Sequence, residues 1–289
     1  MRIALINSGL GLLAAAAELH RLRPDADLVL AMDPDGMPWG PRTPDDIAAR
    51  SLAGARAAVA YRPDVLLFAC NTGSVHALGA LRAEFEPGIP VVGTVPAIKP
   101  AAARSEAVAI WATAATTGSA YQRQLIADFA AAAVVTEVAC PGLADAIDAG
   151  DGDATQAAVT AAAARTPAEC GAVVLGCTEY ELAADQIGAA LPGAALFGSA
   201  AAVAAQALRR VAADEQYPGA AIESAPADES GARRRPARQG MLRVLLSGRP
   251  GALPSAALRY PAGRLLAGLA QAAPSAAPAA RPRHAARLS

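Results

Sequence analysis

Residues 64–72 read Asp-Val-Leu-Leu-Phe-Ala-Cys-Asn-Thr, and residues 171–179 read Gly-Ala-Val-Val-Leu-Gly-Cys-Thr-Glu. In each stretch an apolar run of strand length ends in a cysteine, Cys70 or Cys177, followed by a short hydrogen-bonding side chain. Continuous apolar runs of this kind are typical of strands buried on both faces of a parallel sheet. Residues 2–8 and 107–113 resemble each other at nearly the same offset along the chain. The sequence therefore predicts two similar halves, each providing one cysteine.

Short apolar runs recur along the chain and alternate with alanine-rich segments of helical length. They lie at residues 3–6, 26–32, 65–69, 91–92, 108–111, 134–138, 173–175 and 196–197. Alternation of strand and helix predicts parallel sheets covered by helices on both faces. We therefore expect an α/β fold with two pseudo-symmetric flavodoxin-like domains, whose functional loops lie at the carboxyl ends of the strands.

The predicted first domain is discontinuous. It comprises residues 1–97 and about 208–268, and the second domain, residues 98–207, lies between these segments. The run Met-Leu-Arg-Val-Leu-Leu at residues 241–246 predicts one more strand, followed by a short helix that ends near Leu269. A chain of 289 residues is long enough for two domains of ordinary size.

The charge of the chain is uneven, although its formal net charge is only −1. Eleven arginines and no acidic residue follow Gly231, so the preceding part carries the excess of acid. Residues 214–240 have the composition of a linker, and residues 269–289 that of a disordered basic tail. Because no aromatic side chains are interleaved with these arginines, we expect no nucleic-acid partner.

The sequence also favours a protein of the cytoplasm. No stretch approaches the ~18 consecutive apolar residues that a membrane span needs, so we expect no membrane partner. The chain runs from Met1 directly into the first apolar run, which is too short for a secretory leader. We therefore expect the four cysteines to be reduced thiols.

Cys70 and Cys177 are the candidate reactive groups. Each stands where a buried strand gives way to a loop or helix, and free backbone N–H groups there lower a thiol pKa. Cys140 and Cys170 are more typical of small buried hydrophobic residues. The histidines His20, His76 and His284 are not placed to activate either candidate, and no Cys or His residues have the spacing of metal ligands. We therefore expect no metal.

Short hydrogen-bonding side chains cluster near the same strand ends. They suit a small anion with two carboxylates better than a bulky or apolar substrate. They are Asn7, Ser8, Asn71, Thr72, Ser74, Thr113, Thr116, Thr117 and Thr178.

Four blocks of the chain resemble the aspartate/glutamate racemase family. They are Asn-Ser-Gly-Leu-Gly at 7–11, Trp-Gly-Pro-Arg-Thr-Pro at 39–44, Ala-Cys-Asn-Thr at 69–72 and Leu-Gly-Cys-Thr-Glu-Tyr at 175–180. Weaker matches lie at 112–121 and 139–141. The blocks occur in family order over roughly residues 1–210, and residues 241–263 resemble the family's C-terminal return to the first domain.

This resemblance implies a racemase without a cofactor that interconverts L- and D-glutamate by 1,1-proton transfer. Cys70 and Cys177 would act on opposite faces of a small dicarboxylic amino acid, one as base and the other as acid. The single lysine, Lys99, leaves little provision for a pyridoxal Schiff base. The resemblance further implies D-glutamate for peptidoglycan as the use, and a homodimer as a common assembly.

By family position, Ser8, Asn71, Thr72 and Thr178 would hold the developing ene-diolate. The residues that surround the substrate would be Trp39, Gly40, Thr113 and Thr116.

The chain departs from the family pattern at three positions. Asn7 and Glu179 stand where glutamate racemases usually have aspartate and histidine, which assist the adjacent cysteines and contact the substrate. Trp39 replaces a tyrosine and removes its hydroxyl. Glu179 is able to accept a proton and is more typical of aspartate racemases. Because Asn7 cannot accept one, we expect an Asn7→Asp substitution to leave activity unchanged or raise it.

Other functions fit parts of the sequence. An aspartate racemase, a hydantoin racemase or a maleate isomerase would reuse the cysteines, whereas an arylmalonate decarboxylase needs only one. Gly9-Leu10-Gly11-Leu12-Leu13-Ala14 fits the dinucleotide-binding pattern, with Asp33 ending the next strand. That pattern predicts an NAD-linked enzyme and leaves the paired cysteine blocks unexplained. A binding protein that has lost its acid and base helpers is a further alternative.

Overall fold

The computed structural model describes residues 1–214 and 239–271. In this part of the chain the strands are β1 Arg2–Ile6, β2 Asp27–Met32, β3 Val65–Phe68, β4 Val91–Gly93, β5 Ala107–Ala112, β6 Val134–Ala139, β7 Ala172–Leu175, β8 Ala195–Phe197, β9 Leu242–Leu246 and β10 Arg249–Gly251. The α-helices are α1 Leu12–Leu22, α2 Pro44–Val59, α3 Asn71–Phe85, α4 Ile98–Arg104, α5 Ala120–Phe129, α6 Leu143–Ala149, α7 Gly152–Ala163, α8 Ala184–Ala190, α9 Ala200–Asp214 and α10 Pro261–Gln271. Thr178–Ala183 and Ser255–Arg259 form 3₁₀ helices.

The strands form two separate sheets with the same internal order. One sheet has the order β10-β9-β2-β1-β3-β4, and the other has the order β6-β5-β7-β8. All neighbours are parallel except β9 and β10. The order β2-β1-β3-β4 therefore recurs as β6-β5-β7-β8, which confirms the predicted fold class. We call the six-stranded sheet with its helices the first lobe, and the four-stranded sheet with its helices the second lobe.

The apolar runs form strands because both faces of each central strand are covered. Every residue of β3 and β7 is buried, as are the last four of β1. One hydrophobic cluster includes residues of both lobes, among them Leu19 of α1, Trp111 of β5 and Tyr180 of the 3₁₀ helix that follows β7. The lobes therefore share a core behind the ends of their central strands.

The C-terminal segment completes the first sheet. β9 pairs in parallel with β2, from Leu28 opposite Leu242 to Met32 opposite Leu246, so the predicted extra strand is confirmed. β10 was not predicted. It folds back on β9 through Ser247 and Gly248, whose φ angles of 46° and 78° suit a two-residue hairpin turn.

Some predictions concern residues outside the described ranges. The proposed linker falls mostly on residues 215–238, and the basic tail mostly on residues 272–289. The helix predicted to end near Leu269 is α10, which ends at Gln271. The boundaries between the two predicted domains stay a prediction. No helix in residues 1–214 or 239–271 is long and apolar enough to cross a membrane.

Candidate active site

The two candidate cysteines face one cavity between the lobes. Cys70 and Cys177 lie just beyond the carboxyl ends of β3 and β7, which are equivalent strands of the two sheets. Both line a cavity of about 320 Å³. The volume is at the small end of the range for ligand sites. Parallel-sheet topology thus brings together two thiols that are far apart in the sequence.

Eight of the twelve predicted site residues line this cavity. They are Ser8, Trp39, Gly40, Cys70, Thr72, Thr113, Cys177 and Glu179. The four others, Asn7, Asn71, Thr116 and Thr178, do not line it and form hydrogen bonds behind its wall. The structure therefore assigns these four a different position from the one predicted.

Asn7 connects the lobes and does not face the cavity. Its side chain is fully buried, and its amide nitrogen donates to the Ala69 carbonyl at 2.7 Å and to Thr178 Oγ1 at 3.2 Å. Its amide oxygen accepts from the backbone N–H of Ser8 at 2.6 Å. An amide suits this position because it must donate and accept at once.

Asn71 makes a second connection between the lobes. Its amide nitrogen donates to the Gly176 carbonyl at 2.8 Å, and its amide oxygen is buried without a protein partner. Gly176 immediately precedes Cys177, and Asn71 immediately follows Cys70. The hydrogen bond therefore fixes the two cysteine-bearing loops relative to each other.

Thr178 and Thr116 support neighbouring site residues. Thr178 Oγ1 donates to Glu179 Oε2 at 3.3 Å and accepts from Asn7. Thr116 Oγ1 lies 3.1 Å from Thr113 Oγ1, which faces the cavity. Both threonines therefore orient groups that line the cavity.

Cys70 has the predicted place at a helix start but not the predicted pKa. It is the N-cap of α3, and its sulfur accepts from the backbone N–H of Gly73 at 3.3 Å. Burial and the Glu179 carboxylate raise its pKa to about 12, although the N–H groups of Gly73, Ser8 and Thr72 lower it. The expected depression is wrong because desolvation of a thiolate outweighs these hydrogen bonds.

Cys177 is paired with a carboxylate. Its sulfur donates to Glu179 Oε2 at 2.8 Å. Burial, followed by the negative charge of Glu179, raises the pKa of Cys177 well above its ordinary value. The protein thus holds Cys177 as a thiol with a proton acceptor within hydrogen-bond distance.

Asp148 is the principal site residue that sequence reasoning missed. It lies on α6, lines the cavity, and accepts from the backbone N–H of Leu10 at 2.7 Å. Burial and the nearby Glu179 charge raise its pKa to about 8. The Tyr260 hydroxyl anchors the same helix by donating to the Ile147 carbonyl at 2.7 Å. Two acids in a short alanine-rich helix, Asp145 and Asp148, give no sequence signal of their own.

Three further wall segments were also missed as site residues. Cys140 to Gly142, with Asp145, extend the wall after β6, and Ala114 and Ala115 extend it after β5. Met37, Pro38 and Pro41 flank Trp39 on the first lobe. The weak resemblance at residues 139–141 was the only signal that pointed to the first segment.

The structure accounts for Gly9 and Gly11 without a dinucleotide. A β-carbon at Gly9 would collide with the Asp148 carboxylate, and one at Gly11 with Thr178, Asn7 and Glu179. These side chains occupy the space that a pyrophosphate would need beside the glycines, and two of them are carboxylates. The structure therefore disfavours the NAD-linked alternative.

The described residues offer no other obvious helper or metal cage. His76 is exposed on α3, and His20 lies on α1, outside the cavity lining. His284 lies outside the described ranges. No group of three or more His, Cys, Asp or Glu side chains in residues 1–214 and 239–271 has the arrangement of a metal site.

Comparison with known proteins identifies the class to which this fold and site belong. The family model described as "Asp/Glu/Hydantoin racemase" matches residues 6–207, a range that includes both cysteines and every predicted site residue. The chain belongs to the Asp/Glu/Hydantoin racemase family.

Particular relatives carry a narrower name. A protein named glutamate racemase from Roseiflexus sp. (strain RS-1) is 36% identical over 214 residues, covering 72% of this chain and 78% of the relative. Another from Pseudomonas putida (strain W619) is 36% identical over 219 residues, covering 74% and 82%. The crystal structure of Escherichia coli glutamate racemase in complex with L-glutamate and the activator UDP-MurNAc-Ala has a TM-score of 0.71 and 27% identity. It covers 89% of this chain and 91% of that one.

The contacts of Asn7 reverse the expectation for Asn7→Asp. A carboxylate there would face the Ala69 carbonyl, which now accepts from the amide nitrogen at 2.7 Å. We expect a loss of about 1–3 kcal/mol in the free energy of unfolding at pH 8, together with reduced activity. Both losses should shrink at low pH, where the introduced carboxyl group is protonated and able to donate. Urea unfolding and activity at pH 5.5 and 8 check this, and a variant as active and stable as the parent at pH 8 would contradict it.

The raised pKa of Asp148 predicts a pH-dependent stability. Because the folded protein holds this proton up to about pH 8, and the unfolded chain releases it near pH 4, stability falls as pH rises between these values. Asp148→Asn keeps the acceptor for Leu10 and removes the titration. We expect its stability advantage over the parent to grow from pH 5 to pH 8 in urea unfolding. Asp128→Asn, at an exposed site, is the control; an advantage independent of pH would contradict the prediction.

Proposed function

We propose that this protein is a glutamate racemase that uses Cys70 and Cys177 as its two acid–base groups. One observation carries the proposal: equivalent strands of two pseudo-symmetric lobes each end in a cysteine, and both cysteines line one cavity. Racemisation by two bases needs this symmetry, because a proton must leave one face of the stereocentre and arrive at the opposite face. The names of the relatives support glutamate as the substrate.

The reaction needs one cysteine as thiolate and the other as thiol. The thiolate takes the α-proton and becomes a thiol, and the opposite thiol gives its proton to the other face and becomes a thiolate. Burial alone disfavours any thiolate here. At Cys177 the Glu179 carboxylate is placed to accept the thiol proton, and once protonated it no longer opposes the thiolate by its charge. At Cys70 the thiolate would be stabilised by the surrounding backbone N–H groups of Gly73, Ser8 and Thr72.

The intermediate is an ene-diolate, whose charge develops on the α-carboxylate. Preorganised donors around a desolvated site stabilise such charge most effectively. The hydroxyl-bearing side chains that line the cavity are Ser8, Thr72 and Thr113. The amino end of α3, which begins at Asn71, adds free N–H groups and the positive end of a helix dipole.

The acids of the cavity restrict the pH range of substrate binding. Asp145, Asp148 and Glu179 line it, whereas no described Arg, Lys or His does. A dicarboxylic substrate therefore depends on the proton that Asp148 holds below about pH 8. Above that value a further negative charge in the cavity would oppose both the substrate and a thiolate.

The remaining predictions form part of this proposal. The enzyme is cytoplasmic, its D-glutamate serves peptidoglycan, and it forms a homodimer. The first domain comprises residues 1–97 and about 208–268, and the second residues 98–207. The pairing of β9 with β2 supports the return of the C-terminal segment to the first domain. Light scattering after gel filtration tests the dimer.

Aspartate is the second candidate substrate because Glu179 occurs where aspartate racemases carry this residue. A binding protein without activity is disfavoured by the 2.8 Å contact between Cys177 and Glu179, which retains a proton acceptor at the site. Proton NMR of L- and D-glutamate and L- and D-aspartate in D₂O, with circular dichroism in parallel, distinguishes these functions. We expect the α-proton of glutamate to exchange with solvent as the stereocentre inverts. We expect this exchange to be faster for glutamate than for aspartate. Inert glutamate would contradict the proposal.

The two cysteines should be separately essential. Cys70→Ser and Cys177→Ser each replace a group that is able to form a thiolate by one that is far less acidic, so we expect racemisation to fall by at least about 10³-fold. Cys170→Ser changes a buried cysteine that does not line the cavity and serves as the control. Circular dichroism of both enantiomers measures the rates. Parental activity in either single variant would contradict the assignment.

Glu179 should act by accepting a proton and not merely by hydrogen bonding. Glu179→Gln keeps an acceptor for Cys177 but is unable to take its proton, so we expect kcat/KM to fall by about 10²-fold. Because the equilibrium constant of racemisation is 1, the fall must be equal in both directions. Glu18→Gln, at a partly exposed side chain of α1 that pairs with Arg21 and does not line the cavity, is the control. A Glu179→Gln enzyme with parental kcat/KM would exclude Glu179 as the base.

A further inference from the structure

We propose that Asp33 is a positioning residue that sets substrate affinity by anchoring the indole of Trp39. The proposal rests on the proposed function, because Trp39 is a wall of the cavity in which glutamate would bind. Asp33 itself does not line that cavity. Its influence on the substrate would pass through one hydrogen bond.

Trp39 is a wall residue whose buried indole N–H needs a hydrogen-bond acceptor. Its side chain is 2% exposed, and its ring lies 6.1 Å from the ring of Phe68 at an angle of 49°. A buried indole N–H without an acceptor is costly. The acceptor is Asp33 Oδ2, at 3.1 Å from Trp39 Nε1. Two contacts therefore orient the ring: the hydrogen bond to the Asp33 carboxylate and the packing against Phe68.

The Asp33 carboxylate is itself fixed from two further directions. Oδ2 also accepts from Arg50 Nη1 on α2 at 3.2 Å, and Oδ1 accepts from Ser247 Oγ at 2.9 Å. Its backbone N–H donates to the Ser8 carbonyl at 3.0 Å. Ser8 lines the substrate cavity, so the segment that carries Asp33 is also hydrogen-bonded to a second wall residue.

The anchor has its own cavity behind Trp39. A space of about 210 Å³ is lined by Trp39 together with Asp33, Arg50 and Ser247. Trp39 therefore lines both cavities. Without the hydrogen bond to Asp33, the ring has room to move towards the second cavity, which would enlarge the substrate cavity. This arrangement explains why a ring packed on Phe68 needs an additional polar anchor.

The chain offers graded variants. Asp33→Ala removes the acceptor, Asp33→Asn retains one acceptor oxygen at nearly the same volume, and Ser247→Ala removes one support while leaving the indole anchored. Asp128→Ala is the control, because the Asp128 side chain is exposed on α5 and lines neither cavity. Trp39→Phe removes the N–H and keeps an aromatic ring.

We expect Asp33→Ala to raise KM for both glutamate enantiomers by about five- to tenfold, the effect of losing one charged hydrogen bond. We expect kcat to change less than about twofold, since the wall binds substrate and transition state alike. Asp33→Asn and Ser247→Ala should give smaller increases in KM, and the Asp128→Ala control none. In the Trp39→Phe background Asp33→Ala should add less than about twofold, because the bond is already absent.

A second measurement does not depend on activity. The emission of Trp39, taken as the difference between each protein and its Trp39→Phe counterpart, should shift to the red and become more accessible to acrylamide in Asp33→Ala. An unchanged KM and emission in Asp33→Ala would overturn the proposal. So would an equal increase in KM in the Trp39→Phe background, which would show that Asp33 acts by another route. If the parent does not racemise glutamate, the proposed function fails, while the emission still decides whether Asp33 anchors the indole.

Discussion

Two hydrogen bonds across the cleft determine how the cysteines meet. The Asn71 amide reaches the Gly176 carbonyl at 2.8 Å, and the Asn7 amide reaches Thr178 Oγ1 at 3.2 Å. Asn71 follows Cys70, and Gly176 and Thr178 flank Cys177, while Asn7 follows β1, the strand that pairs with β3. The lobes therefore cannot separate at this point without leaving buried polar groups unpaired. Three other features depend on this contact between the lobes. They are the position of the two sulfurs, the close approach of Thr178 and Glu179 to Gly11, and the hydrogen bond from Leu10 to Asp148.

The same contact between the lobes also desolvates the two thiols, which makes their thiolate forms costly. Excluding water strengthens every interaction within the cavity, but it also keeps both thiols protonated. Glu179 is placed within hydrogen-bond distance of Cys177, and the N–H groups around Cys70 lower the pKa of that thiol against the larger effect of burial. The halves are therefore alike in strand order but differ in the groups that surround each sulfur.

Much of the fold could be predicted because local patterns determine it. Apolar runs ending at Phe68 and Leu175 are buried on both faces, and the repeat between the halves appears again in the strand order. The hairpin strand β10 was missed because its three residues have no apolar pattern. In the site, Asp148 was missed and Asn7 was assigned to the substrate, since both depend on contacts between lobes. The cysteine pKa was predicted in the wrong direction because sequence reveals a helix start but not the degree of desolvation.

The pairing of β9 with β2 has a consequence for the order of folding during synthesis. All four strands of the second lobe have been made once Phe197 leaves the ribosome, whereas β2 lacks its outer neighbour until Leu246 emerges. The lobe that begins first is thus the last to be completed, and the edge of β2 stays open to non-native strand pairing in the interval. Nascent chains released before that point would carry a finished second lobe beside a first lobe with an unprotected edge.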